Sequence, residues 1–392
     1  MARLTDINFA SAVTVNSLIH IVNTGDTTQS PEGSSYKTTL GEVMTNVSNT
    51  LWSASTGTNS LVPKNTTNIA SGDYSLAEGF NTTASGDYSH AEGRITIASG
   101  QSSHSEGVST YAIGISSHAE GNITTASGFS SHAEGNGTQA LGGSSHAEGV
   151  QTISIGSDSH AEGSYTTSIG SSSHAEGLST TASGPYSHTE GVGTVASGDA
   201  SHAEGYQTKA LGDNSHAEGR QTTALGDNGS HAEGVLTTAI GNQSHAEGGV
   251  TVSIGLASHA EGLSTTAVGN QSHAEGVSTI AGGAYSHAQN QVCVASGQSS
   301  HAGGIYSEAL GFASFVHGSG STAIGNYSIV LGNDITGSTD NVTYVERLNI
   351  NKPYTPSSSA DSYGEIGMVV WSDSYIYVKT STGWKRTGLT SF

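Results

Sequence analysis

Sixteen histidines recur between His90 and His301, and every interval is 14 residues except the 15 from His216 to His231. Nearly all of them stand in the phrase Ser-His-Ala-Glu-Gly. A unit this short has no core of its own, so strict self-similarity means that one small unit is stacked many times against its neighbours. Disorder is the rival reading of a Gly-, Ser- and Thr-rich chain, but a disordered segment has no reason to hold phase over so long a span. The period therefore points to a solenoid. It also points away from an enzyme, since identical groups repeated along a rod do not make one organised catalytic site.

The unit is two copies of a seven-residue half, Ser/Thr-x-Ala-x-Gly-x-x. Both halves are visible in Thr82-Thr83-Ala84-Ser85-Gly86-Asp87-Tyr88 and Ser89-His90-Ala91-Glu92-Gly93-Arg94-Ile95. Five residues of each half alternate as a β-strand does. Ser/Thr and Ala share one face; His and Glu, or a variable pair, share the other. Two glycine columns punctuate the strands. One runs from Gly72 through Gly86 and Gly128 to Gly325, the other from Gly79 through Gly93 and Gly135 to Gly332, broken once by Asn290. Asn best replaces Gly at positive φ, so both columns read as left-handed turn positions.

Each coil is then strand, turn, strand, turn, paired in parallel with the next. The fold class expected is all-β, a parallel β-solenoid of about nineteen 14-residue coils. At ~4.8 Å per coil the rod is on the order of 90 Å long. Its thin interior is Ala and Ser/Thr, and Thr ladders such as Thr82, Thr96 and Thr110 are expected to pack and hydrogen-bond along the axis. Cys293 falls in that column and reads as a buried small hydrophobe, not a reactive thiol.

With 54 glycines and 11% charged residues, the chain lacks the large apolar side chains of an ordinary globular core. Its formal charge of −21, from 32 acids against 11 bases, argues against nucleic acid or an anionic membrane as partner. A single cysteine excludes an intrachain disulfide. No apolar run approaches the ~18 residues of a membrane span, and Met1–Asp6 lacks a signal peptide's apolar stretch. The expectation is a soluble protein made in a cytoplasm, with no membrane insertion.

His and Glu two residues apart point the same way and form parallel ladders along one sheet. Fifteen stacked glutamates would repel one another, and the adjacent histidine is the obvious partner for each. This face varies least within the array. At the rod ends its columns turn apolar, at Leu76, Phe315, Ile329 and Leu331, while His317 falls in the Glu column. These features predict an inter-subunit ladder around a three-fold axis, with His90, Glu92, His118, Glu120, His132, Glu134, His146, Glu148, His160, Glu162, His202 and Glu204 as its members. Pairing across chains would raise the histidine pKa above its unfolded value. Rings of His, or His-x-Glu, also suit a transition metal. A hydrogen-bonded His–Glu network accounts for the same pattern, so no metal, cofactor or catalytic residue is assigned.

The Ser-x-Ala-x-Gly-x-x unit in 14-residue coils resembles the left-handed parallel β-roll of YadA-like trimeric adhesin heads, where the motif reads approximately Ser-Val-Ala-Ile-Gly. Ser328-Ile329-Val330-Leu331-Gly332 and Thr322-Ala323-Ile324-Gly325 come closest, and Ser-His-Ala-Glu-Gly is the dominant variant. The resemblance covers residues 66–333 and implies a left-handed roll and a homotrimer. The flanks resemble those of tailed-phage fibre and virion proteins. In residues 1–65, Leu18-Ile19-His20-Ile21-Val22 is strand-like and Thr39-Leu40-Gly41-Glu42-Val43-Met44 acidic and apolar; the segment resembles an N-terminal module that joins a fibre to its particle. Residues 334–360 read as a neck and linker through Pro353 and Pro356. Residues 361–392 show a hairpin pattern, Gly367–Trp371 and Tyr375–Thr380, of a kind common at phage structural-protein C-termini.

These expectations describe a homotrimeric phage fibre located in the virion, joined at its N-terminus to another tail or baseplate protein. Its C-terminal tip faces a host surface glycan or protein. Trp371, Tyr375, Tyr377 and Trp384 are the candidate receptor contacts, although so small a module also needs such rings for its core. A capsid decoration fibre needs the same parts. A polysaccharide-cleaving tailspike needs a carboxylate pair in a cleft, and the post-glycine acids Asp73, Asp87, Asp199, Asp213 and Asp227 read as turn residues instead. Ice binding needs an outward Thr array, whereas the regular Thr column here points inward with Ala.

Overall fold

The computed structural model describes residues 18–23, 34–39, 52–64, 66–348 and 353–389. All regular structure among them is β, and no helix among them is long and apolar enough to cross a membrane. The chain divides into two compact units, Met1–Gln271 and Ser272–Phe392.

In the first unit, Leu18–Asn23 pairs antiparallel with Ser34–Thr39, so the strand-like Leu18–Val22 is indeed a strand. Residues 40–44 of the acidic, apolar stretch lie outside the described residues. The roll then alternates five-residue strands such as His90–Arg94 with two-residue strands such as Ile97–Ala98. Each strand pairs in parallel, in register, with its equivalent one repeat on: His90 with His104, and Ile97 with Tyr111. The extra residue near Gly229 is absorbed in a turn, and His216 still pairs with His231. There Asn228 and Gly229 take φ of 60° and 86°, and a Cβ on Gly229 would meet nothing within 4 Å. The insertion bulges into solvent, which is why the ladder does not slip.

The ladder extends beyond the glycine columns at both ends. Leu61–Pro63 pairs in parallel with Leu76–Phe80 in the first unit. In the second, Ile329–Asn333 pairs with Thr343–Val345, so the expected neck begins as one more coil.

The interior is as the alternation requires. Ala and Thr of the repeat, from Ala84 and Thr82 onward, are fully buried, and so is Cys293. The Thr ladder packs but does not hydrogen-bond along the axis: Thr82, Thr96, Thr124 and Thr138 each bury an Oγ1 with no partner. Identical atoms on in-register strands repeat at ~4.8 Å, well beyond hydrogen-bond reach. The serine that opens Ser-His-Ala-Glu-Gly does bond, donating to the glycine carbonyl three residues back, as Ser89 does to Gly86 at 2.6 Å. In the second unit Val316 and Val330 replace Ala while Ser307 and Ser321 replace Thr, all fully buried. The exchange keeps core volume nearly constant.

Only one glycine column is left-handed. Gly93 and Gly135 have φ of +105° and +108°, and Asn290 takes 76° in the same column. Gly86 and Gly128 are required for a different reason. A Cβ on Gly128 would sit 1.8 Å from the carbonyl oxygen of Gly142 on the next coil, and one on Gly86 2.1 Å from that of Gly100. The left-handed turn residues that pair with this column come two positions later, and they are not glycine. Tyr88, Ser102, Ser116 and Ser130 hold φ between 51° and 59°. Their amides donate to the previous coil, Tyr88 to Asp73 O at 2.8 Å and Ser102 to Asp87 O at 2.8 Å. That repeated bond offsets the ~1–2 kcal/mol a side chain pays in this region.

The post-glycine acids are turn caps. Asp87 Oδ1 accepts from the Asp73 amide at 3.0 Å, and Asp213 and Asp227 repeat the contact at 2.9 and 3.1 Å.

At the end of the second unit Val369–Trp371, Tyr375–Thr380 and Gly383–Gly388 form an antiparallel sheet, one strand more than the hairpin expected. Its core is Val370, Tyr377 and Trp384, with Tyr354, Met368 and Tyr375 packed against it. The stretch expected as linker belongs to this module. Tyr354 donates its amide to Trp371 O at 3.0 Å, and Ser359 O accepts from the Trp384 amide at 2.8 Å. Asp361 ties the segment together, accepting from Tyr354 Oη at 2.9 Å and from the amides of Ser357 and Tyr363 at 2.7 and 2.9 Å. Those donors hold its carboxyl well below the usual carboxylate range, the Tyr363 amide first.

Candidate functional site

The twelve ladder residues expected from sequence all lie on the five-residue strands of the first unit. In-register pairing places each histidine over the next, and the rings stack with centroids 4.7–4.9 Å apart and planes within 7°. Ring spacing is strand spacing.

The Nε2 atoms lie close to a carboxylate of their own coil, of the coil before, or of both. His132 Nε2 is 3.4 Å from Glu120 and 3.9 Å from Glu134. His90 lies 3.4 Å from Glu78, His104 3.3 Å from Glu92 and His118 3.7 Å from Glu106. His146, His160 and His202 lie 3.7, 3.8 and 3.8 Å from Glu148, Glu162 and Glu204. One chain is therefore enough to bring each of these pairs together.

These pairs are close contacts rather than the hydrogen bonds expected. The Nε2 atoms of His90, His118, His132, His146, His160 and His202 are buried and make no hydrogen bond, although the side chains remain about one-third exposed. In the second unit the geometry tightens, and His287 Nε2 hydrogen-bonds Glu275 at 3.2 Å. The repeat then loses its carboxylate. Gln289 meets His301 Nε2 at 3.2 Å, and Phe315 stacks on His301.

Within one chain the histidine pKa shifts run opposite to the rise expected of pairing across chains. Burial first, and then neighbouring histidines, lower the pKa of His118, His132, His160, His174, His202, His231 and His245. The glutamates share protons instead. Hydrogen bonds to adjacent glutamates push Glu120, Glu162, Glu218 and Glu247 up to about 7. Glu106, Glu134, Glu176, Glu204 and Glu233 are lowered, each first by its bond from one of those protonated neighbours. Along this face, histidines held below their ordinary pKa stand beside glutamates that are raised and lowered in turn, and the carboxyls titrate as a coupled array.

Two imidazoles and a carboxylate repeatedly fall within 4.8 Å of one another, as in His118–Glu120–His132 and His146–Glu148–His160. An open groove of about 470 Å³ follows Glu190, Glu204, Glu218 and Glu233. No pair of carboxylates is set apart from the rest, so the ladder offers repeated binding chemistry rather than one reaction centre.

At the C-terminal module the four expected contact residues separate. Tyr377 and Trp384 are about 5% exposed or less and belong to the core, because thirty-odd residues need those rings to hold a sheet. Trp371 and Tyr375 are half-buried. Arg386 lies over the Tyr375 ring at 4.3 Å, and Lys379 over Trp384 at 5.3 Å. Edges of Tyr377 and Trp384 join Pro356, Ser357, Ser359 and Arg386 around a pocket of about 370 Å³. The serine side of that pocket comes from the segment read as linker, so no sequence signal marked it. The indole Nε1 of Trp384 is buried without a hydrogen-bond partner.

No curated protein matches the chain. The family described as YadA head domain repeat matches at residues 70–94, 133–159, 147–173, 161–187, 203–228, 232–258, 260–286 and 302–328. The matched stretches fall in both units and are folded there as parallel β-solenoid coils.

Proposed function

We infer that the protein is a structural and adhesive fibre subunit of a phage virion. It assembles as a homotrimer, is anchored through its N-terminal segment and presents its C-terminal module to a host surface. The observation that carries this reading is the in-register parallel pairing of coil on coil within each unit, on stretches many of which match the YadA head repeat, an architecture suited to stiffness and display. Three copies per fibre would multiply weak tip contacts by avidity. The His–Glu face is the proposed inter-subunit surface, and the virion setting rests on the resemblance of the flanks.

The pocket of Tyr377, Trp384, Arg386 and the Ser357–Ser359 segment supports contact at the tip. It combines aromatic edges, a guanidinium and hydroxyls, the groups that recognise a saccharide. Native mass spectrometry of the purified protein tests assembly, with three times the 39.5 kDa chain mass expected. Binding of the trimer to host cells, competed by the isolated surface glycan, tests the tip. A monomer, or a trimer that binds no cell, overturns the corresponding half of the reading.

A further inference from the structure

We propose that the His–Glu ladder of the first unit is a multi-site receptor for borderline divalent transition-metal ions of the zinc class. Each ion would be held by histidine Nε2 atoms and the carboxylate between them. The inference rests on the geometry of one chain and goes beyond the fibre reading.

Three observations carry it. First, the Nε2 atoms of His90, His118, His132, His146 and His160 are buried and make no hydrogen bond, so a ring that carries its proton on Nδ1 presents a free Nε2 lone pair to the ladder. Second, Nε2-to-carboxylate gaps of 3.3 to 4.0 Å span the separation of two ligands on one tetrahedral ion, about 3.4 Å for bonds of about 2.0–2.1 Å. Third, the triads His90–Glu92–His104, His118–Glu120–His132, His146–Glu148–His160 and His231–Glu233–His245 each bring two nitrogens and an oxygen within 4.8 Å. Two histidines and a glutamate form a recurrent zinc set, and imidazole with carboxylate favours this class over harder cations. The carboxylate contacts already match that ligand separation, whereas the two nitrogens of a triad, one strand spacing apart, must close by about 1.4 Å through tilting of the rings.

Occupancy should alternate. The triads His146–Glu148–His160 and His160–Glu162–His174 share His160, whose Nε2 has one lone pair to give. Two histidines to a site give about six ions for the thirteen histidines between His90 and His259.

The test is equilibrium dialysis of the full chain against zinc chloride near neutral pH, with bound metal counted by elemental analysis. Four or more ions per chain, retained against excess magnesium and released at pH 5, are expected. Fewer than four, or displacement by magnesium, overturns the proposal, because an acidic chain gathers a loose cation atmosphere without any site. Replacing three ligands together (H132Q, H146Q, H160Q) should remove one to two ions while the β circular dichroism persists. An unchanged count in that folded variant also overturns it. Should the variant not fold, cobalt added to the unaltered chain decides: tetrahedral ligand-field absorption in the visible supports the site, and its absence removes it.

Discussion

His118 and His132 lie on consecutive coils with their rings parallel to within 1° and their centroids 4.8 Å apart. Burial lowers the pKa of both rings, and the repulsion that two imidazolium ions would feel at stacking distance adds to it. The same register brings Glu120 beside Glu134, and that contact pushes the Glu120 carboxyl up to about 7 and lowers that of Glu134. Sequence identity down a column becomes electrostatic frustration, and protonation settles it.

The two ladders respond to pH with opposite signs. His118, His132, His160, His174, His202, His231 and His245 have a folded pKa below the unfolded value near 6.5, so their contribution is complete above that value and is lost as pH falls through the folded one. The raised glutamates contribute fully below about 4.5 and lose that contribution as pH rises through about 7. The lowered glutamates add a second loss on the acid side. Thermal melting across pH 3 to 9 should therefore peak between about pH 5 and 7 and fall on both sides. Histidine resonances should titrate below the free value. A melting temperature that rises steadily with acidity would contradict the neutral ladder.

Gly128 and Gly229 separate two uses of glycine. A Cβ on Gly128 would penetrate the backbone of the next coil, whereas one on Gly229 meets open space and only the cost of its φ of 86°. Gly128→Ala should cost about 3 kcal/mol or more, because neither backbone can yield without breaking the ladder. Gly229→Ala should cost about 1 kcal/mol. Urea unfolding of the two variants checks the ratio, and equal losses would mean that the close approach is not what requires Gly128.

Ile123 sits at φ 58° with its side chain mostly exposed. A β-branched residue is poorly suited to this region, and its amide bond to Val108 O at 2.9 Å holds it there. Ile123→Asn should raise stability by about 0.5–1 kcal/mol by removing strain without emptying any core. A loss in the same unfolding assay would show that the isoleucine makes a contact worth more than its strain.

What the sequence made legible follows from which interactions repeat. Alternation in Ser89–Gly93 was enough to place Ala91 inside and His90 and Glu92 outside, because burial on a strand has period two. The left-handed column of Gly93 was legible through Asn290. That of Tyr88 and Ser102 was not, because Tyr and Ser carry no mark of positive φ and the bond that holds them comes from another coil. The shifts within one chain were not legible, since they follow from the burial and stacking of rings such as His118 and His132 and from contacts between glutamates on successive coils. At the tip, Tyr375–Thr380 was visible as a strand. Gly383–Gly388, short on β-branched residues and rich in charge, was not.

Trp384 and Arg386 both border the tip pocket, but they should fail differently when removed. Trp384 is 4% exposed in a core of three residues, so Trp384→Ala removes a large share of that core and should cost about 3–5 kcal/mol. Arg386 is exposed and contributes chiefly its position over Tyr375, about 0.5–1 kcal/mol at such a site. Near-ultraviolet circular dichroism should therefore lose the aromatic signal of the tip in Trp384→Ala and keep it in Arg386→Ala. Host-cell binding should fall in both, in the second without loss of structure. Full binding by a folded Arg386→Ala variant would remove the guanidinium from the contact and leave recognition to the aromatic edges and the serine segment.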